Sequence, residues 1–331
     1  MSNKEEWNRI LQIVGEEGYP TDSEFADKCV KKFSVMRNLF YVILFGGSFY
    51  IIQGGRIIPN NDLVFQGVMA AIIISAFAYI KQKKVLHLEL NRYAFRECWP
   101  DKGLSRYLSF VPTALRKQML WSVTQYNFGC IFFRLGRIDK AAKSLALMQE
   151  SSTTAYNMLL ALHLKHYIAL YYNDYDTVIS CANEASVIYP KVRHTTWNNK
   201  IFGDLQMYGT YANCFKNNAP QQVYSVLQSP QERPMDEVER QYYLYRAAIV
   251  LNDLESAERF KRYVMDNAGT TWYGQAVREN FVPESKPVNY PGYIIRTEML
   301  NSPSKVDNSR LKYMLLGVLI VLLFYIVPRL L

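Results

Sequence analysis

The chain is poor in the residues from which catalytic and metal centres are usually built. It carries 4 histidines and 5 cysteines, and it has no H-E-x-x-H, C-x-x-C, Walker loop, G-x-S-x-G elbow or G-x-G-x-x-G. His163 and His166, three apart on one expected helix, come nearest to a chelating pair. A metal site wants three or four ligands, and none follows nearby in sequence. Cys29, Cys98, Cys130, Cys181 and Cys214 form no paired spacing and an odd set, which fits reduced thiols facing a cytosolic compartment rather than a disulfide framework. Cys130, Cys181 and Cys214 fall inside helical segments, where cysteine acts as a small hydrophobe. The acids Asp236, Glu237 and Glu239 read as helix-start residues favoured by the positive end of the dipole. We therefore expect no catalytic residue, no cofactor, no metal and no small-molecule substrate. No secretory signal pattern is expected either, because charged residues fill the chain up to the first apolar run.

What the sequence does have is strong segregation. The mean hydropathy of -0.12 averages a mixed, polar middle with three runs free of Asp, Glu, Lys and Arg: Leu39 to Ile52, Leu63 to Ile80 and Tyr313 to Val327. A span needs about 20 apolar residues. The second run approaches that alone, the first reaches it if it continues to Ile58, and the third is flanked by Lys312 and Arg329, long cations that snorkel. The net charge of +9 does not mark a nucleic-acid protein, because the cations gather beside the runs: Lys28, Lys31, Lys32 and Arg37 before the first, Lys81, Lys83, Lys84 and Arg92 after the second. The loop between them holds only Arg56 against Asp62, so the positive-inside rule puts that loop outside and both flanks in the cytoplasm. The expected location is a bacterial-type inner membrane, multi-pass, with the amino terminus and the middle of the chain cytoplasmic.

The expected order is as follows. Residues 1–37 hold amphipathic helices, with Trp7, Ile10, Leu11 and Val14 at helical spacing and Thr21 with Glu24 as a capping box. Residues 38–80 form a transmembrane hairpin (39–58 and 63–80), in which Gly67, Ala71 and Ser75 share one face and suit close helix packing, with Gly46 or Gly47 opposite. Residues 81–112 form a stalk and linker, broken at Trp99-Pro100. A helical region follows over 113–281, then a proline-bearing tether over 282–310 and a carboxy-terminal membrane segment over 311–331.

Within the helical region, Phe128, Gly129, Phe132, Gly136, Asp139, Ala141 and Leu145 fall on the places of a helical hairpin that resembles a tetratricopeptide repeat, although Gln125 stands where that pattern has Trp. Further turns at Asn173-Asp174-Tyr175-Asp176, Asn217-Asn218-Ala219-Pro220 and Asn252-Asp253-Leu254-Glu255 recur at irregular intervals near the family's period of about 34 residues. The third hairpin matches least. The resemblance implies an all-α, TPR-like helical-hairpin solenoid, closed at its end by a helix over Thr271 to Phe281. It also implies a concave surface lined by the first helix of each hairpin: Tyr126 and Arg134, then His163, Tyr167 and Tyr171, then Met207 and Tyr211, then Tyr242 and Arg246. Such an aromatic surface with two Arg suits a protein or peptide partner with apolar anchors and acids. The leading functional expectation is a membrane-anchored scaffold or adaptor that is not an enzyme. The alternatives are an accessory subunit of a membrane transporter or secretion complex and, third, an enzyme built from unrecognised pieces.

Overall fold

The structure, a computed structural model, describes residues 3–15, 21–57, 62–110, 121–151 and 154–281. Among these residues every regular element is a helix, and they divide into two units. One unit comprises residues 23–90; the other comprises the described residues up to 22 and from 91 onward. The expected tether at 282–310 and membrane segment at 311–331 lie outside the described residues, as does the start of the helical region at 113–120.

The smaller unit is built from α2 (Lys31–Ile57) and α3 (Asp62–Phe95). The helix begins at Ser23–Phe25 and passes through a π turn at Ala26–Val30 into α2 with helical backbone on both sides, and Glu24 of the expected capping box accepts from Lys28. Both helices are long and apolar enough to cross a membrane. Phe33 and Phe40 stack on Tyr79 at 5.6 and 5.1 Å, and Gly47 sits against Ile72, so the two run antiparallel. α3 continues past Ile80 in polar sequence to Phe95, and Pro100 starts the next helix, in line with the expected break.

The larger unit holds α1 (Asn3–Val14), α4 (Pro100–Phe110), α5 (Trp121–Arg134), α6 (Ile138–Ser151), α7 (Ala155–Tyr171), α8 (Tyr175–Ile188), α9 (Thr196–Lys216), α10 (Pro234–Val250), α11 (Leu254–Asn267) and α12 (Trp272–Glu279). α1 buries Ile10 and Val14 and packs on α6, where Lys140 Nζ donates to the Val14 carbonyl at 2.7 Å. α5 pairs with α6, α7 with α8, and α10 with α11, each across a three-residue turn. The long α9 packs on α8, and its own partner is reduced to a 3-10 turn at Pro220–Gln222 and one helical turn at Val223–Val226. That shortening explains why the third hairpin matches the sequence pattern least.

The four turns share one hydrogen-bonding scheme. Gly136, Asn173, Asn218 and Asn252 all take positive φ, between 54 and 73°. In each, the N–H of that residue donates to the carbonyl three back, and the next N–H donates to the carbonyl five further back: Gly136 to Phe133 and Arg137 to Phe132, Asn173 to Leu170 and Asp174 to Ala169, Asn218 to Phe215 and Ala219 to Cys214, Asn252 to Ile249 and Asp253 to Ala248. This is the Schellman closure, which satisfies the last carbonyls of a helix and needs a left-handed residue, best supplied by Gly or Asn. Two of the turns then start the second helix at once, because the Asp174 and Asp253 carboxylates accept from the N–H groups of Thr177 and Ser256, both at 3.1 Å.

Candidate functional site

The residues expected to line a concave surface are drawn together in the larger unit, and most are enclosed. Tyr126, Arg134, His163, Tyr167, Tyr211, Tyr242 and Arg246 are all buried, and Tyr171 and Met207 are half-buried. They line no open groove here. The cause is α12. Trp272 packs edge-on to Phe133 of α5, Tyr171 of α7 and Tyr242 of α10, and Tyr273 sits on Tyr242 at 5.0 Å. The terminal helix expected only to cover the last hairpin therefore also reaches the first, where a Cβ on Gly136 would stand 3.0 Å from that of Trp272.

Beneath this aromatic cover lies a buried polar cluster contributed by α5, α7, α9 and α10. His163 Nδ1 shares a 2.6 Å hydrogen bond with the Tyr126 hydroxyl, and the His166 Nδ1–H donates to the His163 carbonyl at 2.7 Å. Burial pulls His163 below its ordinary value and His166 down to about 3. Lys200 lies between Asp204 at 2.8 Å and Asp236 at 3.1 Å. The other His163 nitrogen is 3.7 Å from Asp204, an electrostatic contact rather than a hydrogen bond. Burial opposes the charge on Asp204, yet the His163 ring and the Lys200 ammonium hold its pKa below the usual carboxylate range. Arg134 donates to the Ala94 carbonyl at 2.6 Å, and its guanidinium lies 5.0 Å from the Phe95 ring centre. Arg246 is enclosed among Tyr175, Tyr211, Tyr242 and Tyr243.

Sequence reasoning missed Lys200, Asp204 and Glu239. Asp236 does stand in the first turn of α10, where its charge suits the dipole. Glu239 does not: it is 2% exposed, and burial pushes its carboxyl up to about 8, so it stays protonated at neutral pH. Its neighbour Glu237 instead holds a bidentate pair with Arg240, at 2.5 and 2.7 Å. The available signals were the four-residue step from Lys200 to Asp204 and the three-residue step from Asp236 to Glu239. Each puts two charges on one helix face that turns inward.

Two adjoining crevices meet at Tyr167, Lys200, Asp204 and Asp236. Each has room for little more than one water molecule. Arg134 Nε, His163 Nε2 and Glu239 Oε1 find no hydrogen-bond partner among the described residues, and buried atoms of this kind are ordinarily satisfied by ordered water. No group of three His, Cys, Asp or Glu suited to a metal occurs among the described residues. Cys130 and Cys181 are buried, which pushes both thiols up to about 12 and leaves them poor nucleophiles.

In the smaller unit the three small residues do not share a seam. A Cβ added at Gly46 or Gly67 would meet nothing within 4 Å, and Ala71 is exposed. Ser75 is buried, its hydroxyl donating to the Ile72 carbonyl at 2.9 Å. The close approach is at Gly47, where a Cβ would come within 2.9 Å of Ile72 Cδ1. Gly67 and Ala71 thus face outward because the stacked Phe33, Phe40 and Tyr79 rings set the rotation of α3. No protein-family model, curated protein or solved structure matches the chain.

Proposed function

We propose that this chain is a membrane-anchored scaffold, in which α2 and α3 cross the bilayer and the helical hairpins form a divergent TPR-like solenoid that recruits a protein partner. The observation that carries the reading is the outward apolar surface of the two long helices: Phe45 is 70% exposed and Ile74 68%, amid exposed Val42, Phe49 and Phe77. Such a surface is untenable in water and ordinary against lipid. The repeated Schellman turns support the solenoid, since a stack of like hairpins needs the same reversal each time. The filled inner face moves partner recognition to the outer surfaces in this closed form.

A second reading, an accessory subunit of a larger membrane complex, is favoured by one observation. Gly67 and Ala71 lie on the exposed face of α3, where small residues admit another helix closely. Photo-crosslinking in cells separates the two. A crosslinking residue at Val250 or Leu254, apolar positions exposed where α10 turns into α11, should trap a defined soluble protein if the scaffold reading holds. One placed at Ala71 should trap a stoichiometric membrane protein if the second holds. Failure to trap any protein from all three positions contradicts both.

A further inference from the structure

Resting on the reading that α2 and α3 cross a bilayer, we propose that one end of their hairpin is a binding site for anionic phospholipid headgroups. The antiparallel register carries the argument. Because Phe33 and Phe40 both stack on Tyr79, the residues leading into α2 lie at the same end of the hairpin as the residues just beyond Tyr79 on α3. Lys28, Lys31 and Lys32 from one arm of the helical hairpin thereby lie near the level of Lys81, Lys83 and Lys84 from the other. In sequence these are two separate basic runs.

All of these lysines are exposed except Lys83, which is half-buried. Glu24 engages Lys28 at 2.6 Å, and no ion pair forms to Lys31, Lys32, Lys81, Lys83 or Lys84 among the described residues. The acids near this level are Glu24, Asp27 and Glu89, and the six lysines outnumber them two to one, so the net charge is positive. Immediately below it lies Tyr79, a residue suited to the headgroup boundary, and then the exposed Leu39, Phe77, Val42, Ile74 and Phe45. The lysines therefore stand at the height of the lipid phosphates, with their stems along the apolar body. Clustered cations directly beside a span attract anionic lipid, each adding to the affinity. The chemistry recognised is a phosphate ester held at a membrane surface.

The test uses the full chain purified in mild detergent, with fluorescent phosphatidylglycerol and phosphatidylcholine as probes and helicity recorded throughout. The protein should bind phosphatidylglycerol at least about tenfold more tightly than phosphatidylcholine at low salt. The variant Lys31→Gln, Lys32→Gln, Lys81→Gln, Lys84→Gln should lose that preference, and the same four positions changed to Arg should keep it. Equal binding of the two lipids by the unaltered protein, an unchanged preference in the Gln variant, or displacement of the lipid by millimolar inorganic phosphate overturns the proposal. Alkaline extraction of native membranes separates this failure from that of the membrane reading. A chain that stays embedded but shows no lipid preference sinks only the headgroup site, whereas a chain released by alkali sinks the premise.

Discussion

Gly129 of α5 and Leu164 of α7 meet so closely that a Cβ on the glycine would stand 2.3 Å from Leu164 Cδ2. The small residue is thus required between successive hairpins rather than within one. Leu164 is itself fully buried and has little room to yield. Gly129→Val should destabilise the folded chain by about 1–3 kcal/mol, the usual cost of overpacking. Chemical denaturation followed by circular dichroism measures it, and a midpoint equal to the unaltered protein's would show that the hairpins do not rely on this contact.

The left-handed turns make a sharper comparison. Asn173 and Asn252 have φ of 55°, a conformation that costs an ordinary L-residue about 1–2 kcal/mol. Asn252→Gly should be nearly neutral and Asn252→Ala destabilising by about that amount. Equal effects of the two changes would mean that the side chain, and not the backbone, holds the turn.

Glu239 sets a pH dependence whose sign can be worked out. Its folded pKa of about 8 lies above the ordinary 4.5, so between those values the folded state holds a proton that the unfolded state has released. Stability from this group is full below about 4.5, falls as pH rises, and levels off above about 8. Glu239→Gln removes the proton from the balance, so the variant should be close to the parent in stability at or below about pH 4.5 and more stable at pH 9. A variant that is less stable at pH 9 would show that the carboxylate is needed there in charged form.

Trp272→Ala should cost about 3–5 kcal/mol and loosen α12 from the first hairpin, because the indole touches Phe133, Tyr171 and Tyr242 together. Hydrogen exchange reads the outcome: protection should drop around Tyr126 to Arg134 as well as in α12. A loss confined to α12 would mean that the inner face is closed by other contacts.

How far the sequence reveals this arrangement depends on the range of each contact. Helix ends and turns are local, and Gly136, Asn173, Asn218 and Asn252 announce all four reversals. The apolar runs likewise mark α2 and α3. Long-range choices are not written locally. Nothing in the run of α3 says that Tyr79 will stack on Phe40 and so turn Gly67 outward, and nothing near Tyr171 or Tyr242 says that Trp272 will pack on them. Glu239 shows the same limit: one acid in an acidic run, distinguished only by the inward turn of its helix face.

The central claim is that α2 and α3 cross a membrane with the hairpin domain on the cytoplasmic side. Cysteine accessibility in intact cells tests it most directly, using a chain whose five native cysteines are replaced by Ala or Ser. Single cysteines are introduced at Asn61, between the two spans in sequence, and at Arg193, exposed between α8 and α9. Asn61→Cys should react with a membrane-impermeant thiol reagent from outside while Arg193→Cys reacts only after lysis. Labelling of Arg193→Cys in intact cells with Asn61→Cys shielded, or release of the chain by alkaline extraction, would contradict the account.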